Sequence, residues 1–294
     1  MLLLNKPVGI TSNAALQKAK WLLNALKAGH TGTLDPFADG LLPLCFGEAT
    51  KFSAYLLDAD KHYRAVMQLG ITTTTGDPEG EVLDTRVVNV SEAELRATLP
   101  RFTGDIEQIP PMHSALKHQG RPLYEYARAG IEIDRPPRKV TIRSLQVMEF
   151  ESPRVVLDVQ CSAGTYIRTL AQDIGAALGC GAHLTALTRI ASGGFQLADA
   201  LSLTALEVLP ADLRIGQLLP ADCLLTHLPA LPLNADQTYA LMQGRVVALA
   251  DTALVGQVRV YTEAQDFIGL ADADAGTLTP RRLRNTQSLT TDPA

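Results

Sequence analysis

The stretch VTIRSLQVMEFESPRVVLDVQC, residues 140–161, carries the pattern that decides the fold class. Its runs 140–150 and 155–161 are predicted as strands, the second by its Val-Val-Leu-Asp-Val-Gln pattern. They follow one another along the chain, whereas other predicted elements are joined by long connections. This order favours an α+β fold with a mixed, largely antiparallel sheet over a doubly wound parallel sheet.

The sequence on either side supplies further strands and several helices. Apolar residues at helical spacing predict a helix that is capped by Ser12 or Asn13 and runs to about Lys27. Capping boxes are predicted at 91–94 and at 204–207, each opening a helix. The other predicted helices are 49–57, 123–129 and 165–178, and the other predicted strands are 2–4, 41–46, 63–69 and 183–190.

Composition limits the class of protein. Hydrophobic residues make up 46% of the 294 residues, which is enough for a sizeable core and excludes wholesale disorder. The longest apolar runs are too short to span a bilayer, and the start of the chain lacks the features of a signal peptide. We therefore expect a cytoplasmic protein with no membrane partner. The net charge of −5 argues mildly against nucleic acid as a partner.

Neither metal nor nucleotide binding is indicated. The cysteines, Cys45, Cys161, Cys180 and Cys223, include no C-x-x-C pair and are expected to be reduced thiols. Cys180 and His183 have a ligand-like spacing, but nothing nearby completes a zinc site. No glycine-rich phosphate loop is present either. We expect no metal and no cofactor.

The sequence pattern changes near residues 220–232, where three prolines are followed by short strand-like runs. We predict a main domain over 1–222 and a small β-rich domain over 223–294, with strands at 246–249, 255–261, 267–270 and 278–279.

The loop at residues 29–40, GHTGTLDPFADG, could carry chemistry. Its glycines allow tight turns, and Pro36 favours extended geometry at Asp35, so the loop can present one carboxylate rigidly. Taken alone, Asp35 could equally bond its own backbone in a turn. A nucleophilic carboxylate in a closed pocket needs a cation, and Arg168, near the start of a predicted helix, is a candidate. Taken alone, Arg168 could also be a surface residue.

A set of motifs makes the sequence more specific. The motifs, in order, are Asn5-Lys6-Pro7-x-Gly9-x-Thr11-Ser12, Gly29-His30-Thr31-Gly32-Thr33-Leu34-Asp35-Pro36, Lys61-x-Tyr63, Gly104-Asp105-Ile106-Glu107-Gln108-Ile109-Pro110-Pro111, Ser114-Ala115-Leu116-Lys117, Gly164-Thr165-Tyr166-Ile167-Arg168 and Pro280-Arg281-Arg282-Leu283. Together they closely resemble the bacterial tRNA pseudouridine-55 synthase family over essentially the whole chain. Members of that family usually carry several more residues before Leu2.

The resemblance implies an isomerase that converts one uridine in the tRNA T loop into pseudouridine without a cofactor. It implies that Asp35 is the nucleophile, attacking either the base or the ribose C1′, and that Arg168 pairs with it. Tyr63 would stack on the uracil and assist proton removal at C5. Two further residues, Tyr166 and Leu187, would line the base pocket.

The resemblance also assigns roles outside the pocket. His30 would fill the gap left in the RNA stack when the nucleotide is flipped out, and Lys6 would support the pocket. The implied fold is the pseudouridine synthase fold with an inserted RNA-clamping loop at 111–139 and a small C-terminal β-barrel-like PUA domain.

Local charge reconciles an acidic chain with RNA binding. Residues 111–143 hold seven basic and three acidic side chains, and a cluster of three arginines lies at 281–284. The basic residues predicted to bind RNA are Lys117, Arg121, Arg128, Arg281, Arg282 and Arg284. We expect the inserted loop to be mobile without RNA and ordered with it.

Alternative readings remain at this stage. The chain could act mainly in RNA binding or tRNA folding, or it could work inside a guide-RNA particle, although relatives of that kind lack the inserted loop. A carboxylate glycosidase is the weakest alternative, because no second carboxylate is placed by a motif. We expect a monomer that binds the T stem-loop of tRNA and requires no protein partner.

Overall fold

The computed structural model describes residues 1–249 and 254–285. Its strands are β1 Leu2–Lys6, β2 Ala28–His30, β3 Asp39–Phe46, β4 Lys61–Leu69, β5 Ile71–Thr73, β6 Val82–Thr85, β7 Gly104–Gln108, β8 Lys117–His118, β9 Arg121–Pro122, β10 Arg138–Glu151, β11 Arg154–Cys161, β12 Ala182–Ser192, β13 Phe195–Gln196, β14 Leu201–Ser202, β15 Ala230–Leu233, β16 Val247–Ala248, β17 Gly256–Thr262, β18 Phe267–Asp274 and β19 Thr277–Leu283. Its helices are α1 Ser12–Leu22, α2 Ala54–Leu57, α3 Glu92–Thr98, α4 Leu123–Arg128, α5 Ile167–Ala177, α6 Leu203–Val208, α7 Ala211–Arg214 and α8 Ala235–Met242.

The larger sheet has the order β14-β1-β3-β12-β4-β11-β10-β7, with β2 on β3 and β13 on β12. The pairs β1–β14 and β3–β12 are parallel, and the other pairs of this sheet are antiparallel. The predicted α+β class with a mixed, largely antiparallel sheet is therefore confirmed.

The segment at 140–161 forms the hairpin β10–β11, which places β11 beside β4. Along β4 every second side chain is buried, from Lys61 and Tyr63 to Met67 and Leu69. Helix α5 packs on this sheet through residues that include Leu170 and Ile174. Because β4 lies between β11 and β12, Lys61 and Tyr63 at its start are held near the centre of the sheet.

Two predicted helix caps are wrong. In α1, Thr11 is the N-cap and accepts a hydrogen bond from the Ala14 amide, while the predicted cap Ser12 is buried against Leu34. The helix also ends at Leu22 rather than near Lys27. In α6, Ser202 caps the helix, so the predicted box at 204–207 does not form. The box at Ser91 and Glu94 is confirmed.

The C-terminal part forms a separate five-stranded sheet in the order β15-β17-β18-β19-β16, as expected of a small β-rich domain. It has its own core, which includes Leu233, Val258 and Ile268. A second cluster joins the two sheets, with Tyr261 and Phe267 of the C-terminal part in the same cluster as Phe52 of the main part. The sequence reasoning missed α8, which begins with a capping box formed by Asn234 and Gln237.

Among the helices that the structure describes, none has the length and apolar character needed to cross a membrane.

Candidate active site

One cavity of about 390 Å³ gathers five of the seven residues predicted to act in catalysis or to bind the substrate. It opens where the loop between β2 and β3 meets the first turn of α5 and the starts of β4 and of the inserted loop. The predicted residues that line it are Asp35, Tyr63, Tyr166, Arg168 and Leu187.

The loop that carries Asp35 is tied to its surroundings on both sides. The Ser12 hydroxyl donates to the carbonyl of Leu34 and accepts from its amide, at 2.8 and 2.7 Å. The Gly9 amide donates to the carbonyl of Pro36 at 2.7 Å. These bonds hold the residues on either side of Asp35, so the carboxylate is presented at a fixed place.

Arg168 is anchored through all three of its guanidinium nitrogens. Its Nε lies 3.1 Å from Asp35 Oδ2, and one terminal nitrogen lies 3.1 Å from Asp77 Oδ2 and donates to the Thr75 carbonyl. The other terminal nitrogen donates to the carbonyl of His113 at 2.6 Å. The predicted pairing of Arg168 with Asp35 is thus present in the structure, and its geometry is set by three further acceptors.

Asp77 was missed by sequence reasoning. Asp77 is only 2% exposed. Its carboxylate accepts hydrogen bonds from the Thr75 hydroxyl and the Glu79 amide as well as from Arg168. A second carboxylate on the far side of the guanidinium orients Arg168 toward Asp35. Nothing in an isolated Gly-Asp-Pro turn signals this burial.

The electrostatic setting shifts the pKa of two groups at this site. Burial raises the pKa of Asp35, the Arg168 cation opposes that rise, and Asp77 adds to it. Burial lowers the pKa of Lys6 to about 8, against the opposing effect of Asp39 and Asp35. Asp35 therefore ionises at a higher pH than an exposed aspartate, even with its arginine partner.

The aromatic and aliphatic walls come from separate elements. Tyr63 lies on β4, Leu187 lies on β12, and both are buried. Tyr166 precedes α5, and the side chain of Gln108 accepts from its amide at 3.1 Å and donates to its carbonyl at 3.3 Å. This second missed residue, Gln108, fixes the backbone from which Tyr166 and Arg168 project.

The other two of these seven residues, Lys6 and His30, do not line the cavity. Lys6 is fully buried, and its Nζ donates to the carbonyls of Pro7 and Ile10 at 2.8 Å each, which holds the turn before α1. His30 lies half-buried on β2, and burial lowers its pKa.

The predicted RNA-binding residues of the inserted loop lie on and beside α4. Lys117 is exposed on β8, and the Arg121 Nε lies 2.7 Å from Glu125. The Arg128 guanidinium lies 5.5 Å from the centre of the Tyr124 ring.

The C-terminal arginines have partners within the protein. An Arg281 terminal nitrogen lies 3.1 Å from Asp272, and Arg282 donates to the carbonyl of Lys51 at 3.2 Å. Arg284 donates to the carbonyl of Phe267 at 2.9 Å. The roles predicted for all these basic residues stay predictions.

The sequence matches three family models in succession. Residues 20–167 match the TruB family pseudouridylate synthase N-terminal domain, residues 168–225 match the tRNA pseudouridylate synthase B C-terminal domain, and residues 229–283 match the pseudouridine synthase II TruB C-terminal model. The chain belongs to the TruB family of pseudouridylate synthases. The predicted enzyme class, an isomerase that acts on RNA, is therefore confirmed.

Curated relatives of this TruB-family chain are similar along nearly their whole length. It is 70% identical to a tRNA pseudouridine synthase B from Thiobacillus denitrificans, over 96% of this chain and 95% of the relative. It is 56% identical to a tRNA pseudouridine synthase B from Aromatoleum aromaticum, over 97% of this chain and 92% of the relative.

Two solved structures have the same fold as this TruB-family chain. A chain in the crystal structure of a Cbf5–Nop10–Gar1 complex matches with a TM-score of 0.69 and 26% identity, over 99% of this chain and 80% of that one. A chain of an archaeal box H/ACA sRNP Nop10–Cbf5 complex matches with a TM-score of 0.70 and 24% identity, over 96% of this chain and 85% of that one.

Proposed function

We propose that this chain is a tRNA pseudouridine synthase that converts uridine 55 of the T loop into pseudouridine, with Asp35 as the nucleophile. The observation that carries the proposal is the contact of 3.1 Å between Asp35 and Arg168 in a cavity that Tyr63 also lines. The similarity to enzymes named tRNA pseudouridine synthase B supports tRNA as the substrate.

The cavity suits a nucleotide that has been flipped out of the RNA. A base inside a folded RNA cannot reach a carboxylate, and extruding it costs a few kcal/mol. The buried Tyr63 ring, with Tyr166 and Leu187, offers apolar surfaces on which a uracil can stack. His30, at the end of β2 outside this cavity, is proposed to take the place that the base leaves.

Asp35 suits covalent catalysis because a carboxylate can form an adduct and then leave it. Arg168 holds the carboxylate in one orientation and favours its ionised form. The adduct forms at the base or at the ribose C1′. The reaction breaks the N1–C1′ bond and makes a C5–C1′ bond, so its overall balance requires no external oxidant or reductant.

The remaining parts are proposed to hold the tRNA. We assign catalysis to residues 1–222 and RNA contacts to residues 223–294 and to the inserted loop at 111–139. The loop reaches the catalytic group directly, since the His113 carbonyl accepts from Arg168. In this proposal Lys117, Arg121, Arg128, Arg281, Arg282 and Arg284 contact RNA, and Lys6 supports the pocket. The enzyme works as a monomer in the cytoplasm, without a protein or guide-RNA partner.

The proposal is tested with unmodified tRNA transcripts that carry tritium at C5 of uridine. We expect the purified protein to release tritium from a transcript with uridine at position 55 and to release none from a transcript with cytidine there. Tight tRNA binding without tritium release would contradict the proposed reaction and favour a tRNA-folding role. Equal release from both transcripts would contradict the proposed position.

A further inference from the structure

Arg189 on β12 is a fully buried cation that neither the sequence reasoning nor the proposed reaction uses. Arg189 is 1% exposed, and among the described residues no carboxylate lies within ion-pair distance of its guanidinium. Its Nε donates to the Leu41 carbonyl at 2.7 Å, and a terminal nitrogen donates to the Gly32 carbonyl at 3.0 Å. A buried charge without a counter-ion is destabilising, so its place in the cavity needs a reason.

The position of Arg189 connects two parts of the candidate active site. It lies directly opposite Tyr63 in the β4–β12 pair, and residues directly opposite one another project to the same face of a sheet. Both side chains line the cavity. Gly32 belongs to the loop that carries Asp35, so one guanidinium is bonded to the Asp35 loop and lies beside Tyr63.

The charged and titratable groups around Tyr63 act in opposite directions. Burial raises the pKa of the Tyr63 phenol, and Cys161 on β11 and Asp35 on the loop raise it further, while Arg189 lowers it. Lys61 on β4 also lines the cavity, but its Nζ donates to three backbone carbonyls, those of Leu56, Leu57 and Ala59.

Arg189 also acts on the neighbouring basic groups. It lowers the pKa of Lys61, His30 and Lys6, in each case after burial, which is the largest cause. Arg189 is therefore close enough to these three basic groups for its charge to act on them. Arg189 itself is bonded to the Asp35 loop at Gly32 and lies opposite Tyr63.

We propose that Arg189 is a positioning residue for the proton transfer at C5: it aligns Tyr63 with the Asp35 loop and supplies the positive charge that stabilises the Tyr63 phenolate. This inference rests on the proposed function. It assigns a role in one step, the loss of the C5 proton, and gives Arg189 no contact with the RNA.

The step balances as follows for attack at the ribose. After C5 has bonded to C1′, the uracil ring carries a hydrogen at C5 and a double bond between N1 and C6. The Tyr63 phenolate takes the C5 proton, and the C5–H electron pair forms the C5–C6 double bond. The N1–C6 pair returns to N1, which takes a proton from water, and Tyr63 later releases its proton to water.

The test compares Arg189→Gln and Arg189→Lys with a matched control, Arg214→Gln. Arg214 also holds backbone carbonyls, those of Leu22, Glu207 and Leu209, but it does not line the cavity. Rates of pseudouridine formation are measured at saturating protein, across pH, on tRNA transcripts with hydrogen or deuterium at C5 of uridine. Circular dichroism melting gives the folded fraction of each variant.

For Arg189→Gln we expect a rate at least about tenfold below the wild type at neutral pH. This is less than the roughly 100-fold or more for loss of an acid–base group itself, because Tyr63 remains in place. The rate should rise toward higher pH than in the wild type, because the phenol pKa increases when the cation is removed. The ratio of rates with hydrogen and deuterium should also increase, since proton loss becomes slower than the other steps. Arg214→Gln should change neither the pH profile nor the isotope ratio.

Arg189→Lys should keep the wild-type pH profile, because it keeps the charge. It should turn over more slowly, because a single ammonium group cannot reproduce the planar guanidinium in which Nε and a terminal nitrogen each hold one carbonyl. A wild-type rate in Arg189→Lys would overturn the positioning role, and this test stands even where Arg189→Gln does not fold. An unchanged isotope ratio and pH profile in folded Arg189→Gln would overturn the electrostatic role. A wild-type protein that forms no pseudouridine would instead refute the proposed function.

Discussion

Two arginine–carboxylate contacts with the same separation lie in very different surroundings. Arg168 approaches Asp77 to 3.1 Å in the cavity, and Arg281 approaches Asp272 to 3.1 Å on the C-terminal sheet. The Arg168 side chain is 5% exposed, whereas that of Arg281 is 52% exposed. The distance between the charged groups is therefore a poor guide to function. The two pairs differ instead in how deeply their side chains are buried.

Burial decides what each pair can do. Removing one partner of a buried pair costs about 3–5 kcal/mol, because it leaves a charge uncompensated. An exposed pair contributes about 0–1 kcal/mol, so either partner is easily exchanged for water or phosphate. We infer that the contacts of Arg168 hold Asp35 in one orientation for catalysis. The exposed Arg281 is available to contact an RNA backbone.

The largest effect is expected from Arg168→Lys. The substitution keeps the charge but cannot serve Asp35, Asp77 and the His113 carbonyl together, so the nucleophile loses its orientation. We expect single-turnover pseudouridine formation to fall by about 100-fold or more, with tRNA affinity unchanged. Unchanged turnover, measured on a folded variant, would show that the buried geometry is not needed.

Asp77→Asn tests the far side of the same network. The amide can still accept a hydrogen bond from Arg168, but the charge that orients the guanidinium is gone. We expect the rate to fall by about 10-fold to 100-fold, the order that misplacing a catalytic group costs. Because Asp77 raises the pKa of Asp35, the acid limit of activity should also move to lower pH. A lower rate with the acid limit unmoved would contradict the electrostatic link between the two carboxylates.

The pH dependence of the wild type follows from the direction of the Asp35 shift. The nucleophile must be ionised, and burial raises its pKa above the ordinary aspartate value. Activity should therefore be complete well above that raised pKa and fall as pH decreases through it, at a higher pH than an exposed aspartate would give. A profile of single-turnover rate against pH checks this, with melting curves to exclude acid unfolding.

The smallest effect is expected at the exposed pair. Arg281→Ala should weaken tRNA binding by up to about fivefold, as expected for one exposed charge, and leave the saturated rate unchanged. The matched variant Asp272→Asn frees Arg281 from its partner and should bind tRNA as tightly as the wild type or more tightly. Equal weakening by both substitutions would point to a structural pair rather than an RNA contact.

Sequence reasoning reached the residues whose signals are local. Period-two burial along β4 and the hairpin pattern at 140–161 follow from strand geometry, and the motif around Asp35 pointed to a presented carboxylate. The need for a cation made Arg168 a candidate partner, while the pairing itself was implied by the family resemblance. The fold class, the strand β4 and the candidates Asp35 and Arg168 could therefore be predicted before the structure.

The missed residues depend on contacts between distant segments. Asp77 and Arg168 are separated by 91 positions, and Gln108 meets Tyr166 across 58. Arg189 meets Gly32 across 157 positions. None of these side chains stands out in its local sequence. Each acquires its role only when the fold brings two distant segments together. The wrong cap of α1 has the same origin, because the Ser12 hydroxyl bonds the distant Leu34 instead.

The central claim is that Asp35 is the nucleophile, and the most direct measurement compares the wild type with Asp35→Asn. Excess protein is mixed with tRNA that carries tritium at C5 of uridine 55, and release is followed through one turnover. We predict release by the wild type and none above background by Asp35→Asn, with equal tRNA affinity in a filter-binding control. Equal release by the two proteins would contradict the account.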